Sequence, residues 1–326
     1  MKTKILTILK EADGFVSGQD LCHKLGVSRT AVWKVMKQLE EEGYVIEAVR
    51  NKGYRLVEVA DVMTEAEIGS RMHSKWMGKQ LIYLPETDST NIQARRLAED
   101  GYPDGTLVVA DCQKAGKGRR GRSWSSPPGS SIYMSFLLKP DIPPYCASMI
   151  TLIAGMAVTQ AVKAETGLEA QIKWPNDVVV NGRKICGILT EMSTELERIH
   201  YIVTGIGINV NQQEFPEEIQ ATATSLRIET GRNISRSGLI ACSMEWFEQY
   251  YELFLQTQDL SRLKADYEAL LANLGREVLV LDPAGEYRGI CRGIDEGGQL
   301  LVELPGGEQK AVMSGEVSVR GIYGYV

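Results

Sequence analysis

Over residues 1–60 the apolar positions recur first at helical and then at strand spacing, which predicts three short helices followed by a hairpin. Ile5, Leu6 and Leu9 share one helix face. SGQDLCHKLG (17–26) opens on Ser17 as a cap and closes on Gly26 as a stop. SRTAVWKVMKQLEEEG (28–43) runs from Ser28 as N-cap to Gly43. Its inward positions are Ala31, Val32, Val35 and Leu39, which leaves Arg29, Thr30, Trp33, Lys34, Lys37 and Gln38 on or near the open face. Helix, three-residue turn, helix is the helix-turn-helix arrangement, and two strands around Asn51-Lys52-Gly53 add a wing carrying Arg50, Lys52 and Arg55. A helical domain with a merely solvated basic face has the same periodicity. Segment order, turn length and the basic wing favour DNA binding through Ser28, Arg29, Thr30, Trp33, Lys34, Lys37, Arg50 and Lys52.

Residues 61–271 mix periods. Strand-like runs fall at 81–85, 105–111, 131–138, 177–182, 184–192 and 200–210, and helix-like runs at 89–100, 145–166 and 236–271. The strands do not alternate regularly with helices as a doubly wound fold requires, and the neighbours around Asn181-Gly182 read as a hairpin. A mixed, largely antiparallel α+β sheet is expected. Residues 272–326 are strand-like, with turn signals at Pro283-Ala284-Gly285, Glu296-Gly297-Gly298 and Pro305-Gly306-Gly307, and read as a small barrel. The expected division is 1–60, 61–271 and 272–326, each with its own core.

Composition adds an asymmetry. The chain of 326 residues carries a formal charge of −6, which argues against a protein that coats nucleic acid non-specifically. Its first 60 residues hold ten Lys/Arg against eight Asp/Glu, so a basic module sits on an acidic body. The six cysteines are scattered without a C-x-x-C pair and only three histidines are present, so no metal site is expected and the thiols read as reduced. The apolar run of the N-terminus is cut by Lys10 and Glu11, unlike a signal peptide, and the most apolar stretch, 149–158, is short for a membrane span. A cytoplasmic protein is expected.

The candidate chemistry centres on KAGKGRRGRSW (114–124). Gly116 to Gly121 matches G-x-G-x-x-G, and Gly116 to Ser123 is one substitution from a Walker A loop. Both motifs need a helix after the glycines, whereas here RSWSSPPGSSIY follows, and Pro127-Pro128-Gly129 is no helix interior. What remains is a loop with five cations, Lys114, Lys117, Arg119, Arg120 and Arg122, and no acidic residue from Cys112 to Pro140. Such packed like charges repel unless an anion or water shields them, so the expectation is a mobile loop that orders around a polyanionic small molecule. Three further polar clusters accompany it: ETDSTN (86–91), KWPND (173–177) with Lys184 and Gly187 on the partner strand, and GIGINVN (205–211) with Asn209 and Asn211. Alone each is weak, and Asp177 is as readily a capping residue as a chemical one.

Together, in this order and spacing, ETDSTN, KAGKGRRGRSW, KWPNDVVVNGRKICGIL and GIGINVN resemble the biotin–protein ligases, and with residues 1–60 the whole chain is similar to the bifunctional ligase–repressors of that family in bacteria. The resemblance implies a class II synthetase-like central sheet and a C-terminal SH3-like barrel. It implies that biotin and ATP, with Mg²⁺, form biotinoyl-5′-AMP, whose acyl group passes to one lysine of a biotin carboxyl carrier protein. It also implies repression at operator DNA by a ligand-promoted homodimer. Carried over by motif, Lys184, Arg119 and Asp177 would be catalytic. Ser89, Thr90, Asn91, Gln113, Gly116, Lys117, Gly118, Arg119, Lys184 and Gly187 would bind biotin. Arg119, Arg122, Trp124, Asn176, Lys184 and Asn209 would bind the nucleotide. Lys117 departs from the family's GRGRRG, which has arginine there; lysine keeps the charge and loses the two-pronged hydrogen bonding. A lipoate–protein ligase shares the fold, but its arginine-plus-triple-glycine motif is absent. A ligand-sensing transcription factor with an inactive core is the other alternative, which the intact Lys184 and Arg119 disfavour.

Overall fold

The computed structural model of the chain describes all residues except 59–60, 196–197, 283–284, 315–317 and 322–324. The N-terminal unit contains α1 (Lys2–Glu11), α2 (Gly18–Leu25), α3 (Arg29–Glu41), β1 (Val45–Val49) and β2 (Gly53–Glu58), the two strands forming an antiparallel hairpin. Its helix boundaries follow local chemistry. The Ser17 hydroxyl accepts from the backbone N–H groups of Gln19 and Asp20, Gly26 stops α2 in the left-handed region at φ 66°, and the Ser28 hydroxyl caps α3 by accepting from Ala31 N. The core uses Ile5, Leu6, Leu9, Leu21, Val32, Val35, Met36 and Leu39. Met36 is buried where Ala31 was expected, because α3 packs on both α2 and β1 and so turns a wider face inward.

A short helix, α4 (Glu65–Gly69), packs on α1 and on a long helix far downstream. Glu67 on α4 is fully buried and ties these parts together. It accepts from Lys10 Nζ at 2.6 Å, Tyr44 Oη at 2.6 Å and Arg71 Nε at 2.7 Å. Burial alone would raise its carboxyl, but the hydrogen bonds from Lys10, Tyr44 and Arg71 outweigh that and hold it below its ordinary value of 4.5. A carboxylate with a depressed folded pKa stabilises the fold above its unfolded pKa, and that contribution is lost as pH falls from about 4.5 through the lower folded value. Glu67→Gln is expected to cost about 3–5 kcal/mol, since two cations lose their buried partner. It should also flatten the acid limb of stability, measured by urea unfolding as a function of pH; a parental acid limb in the variant would show that Glu67 is not its source.

The central sheet has seven strands: β3 (Leu81–Leu84), β4 (Leu107–Ala110), β5 (Ile132–Leu138), β6 (Gln171–Lys173), β7 (Asp177–Val180), β8 (Arg183–Glu195) and β9 (Arg198–Ile208). Their order is β3-β4-β5-β9-β8-β7-β6, antiparallel except for the β3–β4 pair. The helix α5 (Thr90–Glu99) covers one face through Ala94 and Ala98 against Val108, Leu137 and Val203. On the other face lies α6 (Ala147–Thr166), against which α9 (Arg236–Thr257) packs. Two short helices, α7 (Glu217–Gln220) and α8 (Leu226–Thr230), precede α9. The predicted β7–β8 hairpin is present, with Asn181 and Gly182 at φ 50° and 72°, the pairing a two-residue turn demands.

Two expectations are corrected. The apolar run 149–158 lies in a longer helical segment, Pro144–Thr166, that is long and apolar enough to cross a membrane, but 78% of an 18-residue window within it is buried, as the core helix between sheet and α9. The helix expected over 236–271 is broken: α9 ends at Gln258 in the left-handed region (φ 58°), and α10 (Lys264–Leu270) follows. Between them Leu260 N donates to Glu296 O, so a tertiary contact takes a backbone group that a continuous helix would use.

The C-terminal strands β10 (Glu277–Leu281), β11 (Tyr287–Ile294), β12 (Leu300–Glu303), β13 (Gln309–Val312) and β14 (Ser318–Gly321) form one antiparallel sheet in the order β13-β12-β11-β10-β14. The turns at 296–298 and 305–307 have glycines at positive φ as expected, while Pro283 and Ala284 of the third turn lie outside the described residues. Among the described residues the C-terminal strands have no core of their own. Val278, Val280, Cys291, Ile294, Leu300 and Val302 belong to the same buried cluster as the central helices and sheet. Trp174 Nε1 donates to Gly298 O at 3.1 Å, which seats the C-terminal sheet directly behind the KWPND segment.

Candidate active site

Four sequence segments converge at one end of the sheet. ETDSTN leads from β3 into α5, where Thr90 and Asn91 are buried although polar. Their partners account for this: the Ser135 hydroxyl in the middle of β5 lies 2.7 Å from Thr90 Oγ1 and 2.6 Å from Asn91 Oδ1, within hydrogen-bonding distance of both. Gln113 lies alongside, its Oε1 accepting from Thr90 N at 2.8 Å and Oγ1 at 3.1 Å while its Nε2 donates to Ser126 Oγ. Hydroxyl and amide groups are thus fixed around one small polar slot.

The glycine–arginine loop is a short hairpin. Trp124 N donates to Gly116 O, Gly118 N donates to Arg122 O, and Arg120 and Gly121 turn the tip at φ 59° and 70°. No helix starts after Gly121, as Pro127-Pro128 predicted. Arg119 folds back from the tip: Nη1 donates to Asn176 Oδ1 at 2.8 Å and Nη2 to Ser314 O at 2.6 Å. Burial lowers its pKa and the Asp177 carboxylate opposes this, and an arginine remains charged under such conditions. Lys114 points away and pairs with Glu86 at 2.6 Å.

On the opposite wall Lys184 Nζ meets Asp177 Oδ1 at 2.5 Å and lies 5.3 Å from the Trp124 ring centre. The backbone of Lys184 is held independently, its N–H donating to Thr222 O and its carbonyl accepting from Thr224 N. A β-bulge sets its direction. Asp177 pairs with Gly187, Val178 with Cys186, then Val179 with Lys184, so one extra residue, Ile185, enters β8. Lys184 and Gly187, three apart, consequently face the same side, and a Cβ on Gly187 would lie 3.0 Å from Lys184 Nζ and 2.9 Å from the Trp124 ring. Burial pushes the neighbouring Cys186 thiol far up, so it is an inert core residue.

The cleft floor is glycine. A Cβ on Gly207 would come within 2.7 Å of the Trp124 indole and one on Gly205 within 2.1 Å of Asn91 Oδ1. The indole N–H of Trp124 is buried without a hydrogen-bond partner among the described residues. Ser89, Thr90, Asn91, Gln113, Lys117, Gly118, Arg119, Trp124, Asn176, Lys184 and Gly187 all line this one cleft, and Asp177 adjoins it through Lys184. Gly116 supports the loop from behind, where a Cβ would strike Trp124 O at 2.7 Å. Two expected residues are not brought in. Arg122 is exposed, and Asn209 is buried with its Nδ2 on Thr224 O, joining β9 to the segment that holds Lys184. Asn211 likewise binds Ile234 and Asp61 rather than the cleft.

Sequence reasoning missed Arg95, Leu189, Glu191, Gly205 and Gly207 as lining residues. Alternation along the two strands was the available signal, since 187, 189 and 191 share one face of β8, and 205 and 207 one face of β9. No group of three or more His, Cys, Asp or Glu that could hold a metal ion occurs among the described residues.

The expected helix-turn-helix face is likewise assembled. Ser28, Arg29, Thr30, Trp33, Lys34 and Lys37 are exposed along α3, and Arg50 and Lys52 at the wing tip. Trp33 is 53% exposed, unusual for an indole in a small domain. A groove between the start of α3 and the wing is lined by Gln19, Arg29, Arg50, Asn51 and Lys52.

Comparison with known proteins agrees with this organisation. A helix-turn-helix domain family matches residues 2–55, the biotin/lipoate A/B protein ligase family matches 83–209, and the biotin protein ligase C-terminal domain matches 274–320. The bifunctional ligase/repressor BirA of Bacillus spizizenii is 43% identical over 91% of each chain. That of Escherichia coli is 32% identical over 97% of this chain and 96% of its own. The structure of a biotin protein ligase from Aquifex aeolicus in complex with biotin and ATP, 35% identical, covers 74% of this chain and 99% of that one at a TM-score of 0.66. On the strength of this full-length similarity and of the three domains matched in order, the chain belongs to the BirA family of bifunctional ligase/repressors.

Proposed function

We propose that the chain is an ATP-dependent biotin–protein ligase acting through biotinoyl-5′-AMP, and a repressor whose winged helix binds operator DNA with that adenylate as corepressor. The observation that carries this reading is one cleft joining the Ser89–Thr90–Gln113 polar slot to the Arg119, Lys117 and Lys184 cations across a glycine floor. A carboxylate and a triphosphate repel, so their reaction requires fixed positive charge and rigid positioning, and both are present. Ser89, Thr90 and Gln113 would hold the ureido head of biotin. Lys184, Arg119 and Lys117 would bring its carboxylate against the α-phosphate, from which pyrophosphate leaves. Asn176 would hold Arg119 over the nucleotide, and Trp124 would pack beside Lys184 at the nucleotide end. Mg²⁺ would arrive on the nucleotide phosphates and neutralise part of their charge. In the second step a carrier lysine attacks the acyl carbon, AMP leaves, and Asp177 takes the proton. We assign Asn209 a structural role.

The proposed division is 1–60 for DNA binding, 61–271 for the ligase and 272–326 for the C-terminal barrel, in a cytoplasmic protein. Arg29, Thr30, Trp33, Lys34 and Lys37 on α3 would enter the major groove with Arg50 and Lys52 on the backbone, and a ligand-promoted homodimer would present two such units to a two-fold operator. Incubation with biotin, ATP–Mg²⁺ and a biotin carboxyl carrier domain, read by mass spectrometry, tests the enzymatic half: one biotinyl group on one lysine is expected. Failure there with biotin-dependent operator binding would favour a sensor without activity, and transfer of lipoate instead would make the chain a lipoate ligase. Sedimentation with and without biotin and ATP tests dimerisation.

A further inference from the structure

Two contacts from the C-terminal segment reach the cleft. Ser314 O accepts from Arg119 Nη2 at 2.6 Å, and the Tyr325 hydroxyl donates to Asp177 Oδ2. The second has a defined chemical consequence. Asp177 is only 9% exposed, and its two oxygens are divided: Oδ1 takes Lys184 Nζ and Asn176 Nδ2, and Oδ2 takes the phenol. The phenol is itself fixed from behind, because the buried Lys173 ammonium lies 3.6 Å from the Tyr325 ring centre. A carboxylate bonded on one oxygen only is free to rotate about its Cβ–Cγ bond. Held on both oxygens, it keeps one orientation.

We propose that Tyr325 is a positioning residue for the acyl-transfer step, acting through Asp177. The inference rests on the ligase reading above. In that step the acceptor amine forms the C–N bond, the bond from the acyl carbon to the AMP oxygen breaks, AMP keeps the electron pair, and the proton released by nitrogen goes to Asp177. Tyr325 sets the direction of the carboxylate that receives the proton. The other groups facing the carboxylate are Lys184 and Cys186 on β8 and Arg119 from the basic loop, with Lys173 on β6 behind the ring. None of these is altered by Tyr325→Phe, which keeps the ring over Lys173.

The test separates the half-reactions in the full-length protein. In Tyr325→Phe, pyrophosphate release with biotin and ATP–Mg²⁺ is expected to match the parent, while single-turnover transfer to a carrier domain falls on the order of tenfold, in kcat rather than KM. Trapping of the adenylate by hydroxylamine, a nucleophile already unprotonated at neutral pH, should be unchanged. Equal transfer by parent and variant would overturn the proposal. So would an equal loss in both half-reactions with a lowered Tm, which would make Tyr325 merely structural. If the parent itself forms no adenylate, the ligase reading falls and this role falls with it.

Discussion

Pyrophosphate release in Lys184→Ala is expected to drop by a factor of roughly a hundred to a thousand, with the fold retained. The magnitude is that of removing one pre-positioned electrostatic group from a reacting centre. Lys184 is the cation aimed into the cleft from β8, set there by the bulge at Ile185 and paired with Asp177 at 2.5 Å. The fold should survive because the backbone of residue 184 bonds to Thr222 and Thr224, and these bonds do not involve the side chain. Circular dichroism and thermal unfolding check the fold, and a coupled pyrophosphate assay checks the chemistry. Near-parental pyrophosphate release would remove Lys184 from the adenylation step. Lys184→Arg should not restore the rate, since a guanidinium is larger and a Cβ on Gly187 already marks how little space surrounds Nζ.

Arg119→Gly is expected to release biotinoyl-AMP about ten- to a hundredfold faster, so that the adenylate labels lysines indiscriminately. Arg119 joins three parts of the chain, since the loop that carries it is bound by its guanidinium to Asn176 and to the carbonyl of Ser314. Both are hydrogen bonds from a charged donor, worth about 1.5–3 kcal/mol each, and both are lost together, so the expected range of release rates is at or below the lower end of what that loss allows. The hairpin bonds of the loop, Gly118 N to Arg122 O and Trp124 N to Gly116 O, remain, so the loop should still form without being tied down. A rapid-quench release assay decides the point. A variant that retains its adenylate as long as the parent would show that Arg119 does not clamp the site.

The failure of two nucleotide-loop patterns was legible in the sequence because it depended on one local fact, the prolines at 127 and 128, and the observed loop starts no helix after Gly121. The winged helix was legible for the same kind of reason: Ser17, Gly26 and Ser28 define its helix ends through bonds within a few residues. The break after α9 was not legible, because its cause is Glu296, some forty residues away. Nor was the shared core of the central and C-terminal parts, since strand patterning is the same whether a sheet buries its face against itself or against a neighbour.

The sequence by itself determined most of the elements, the three-part order and the polar segments that line the cleft, because capping, turn residues and alternation act over a few positions. Tertiary structure alone decided which of those residues meet. Lys184 and Gly187 are three apart on a strand, and strict alternation would set them on opposite faces; the bulge at Ile185 puts them on one. Asn209 and Asn211, polar and beside the glycine floor in sequence, turn instead to Thr224, Ile234 and Asp61. Tyr325 lies 148 residues from Asp177 and no local pattern links them. A strand's faces follow from its sequence, but bulges and long-range partners choose which face meets the ligand, and those depend on the packing of the whole chain.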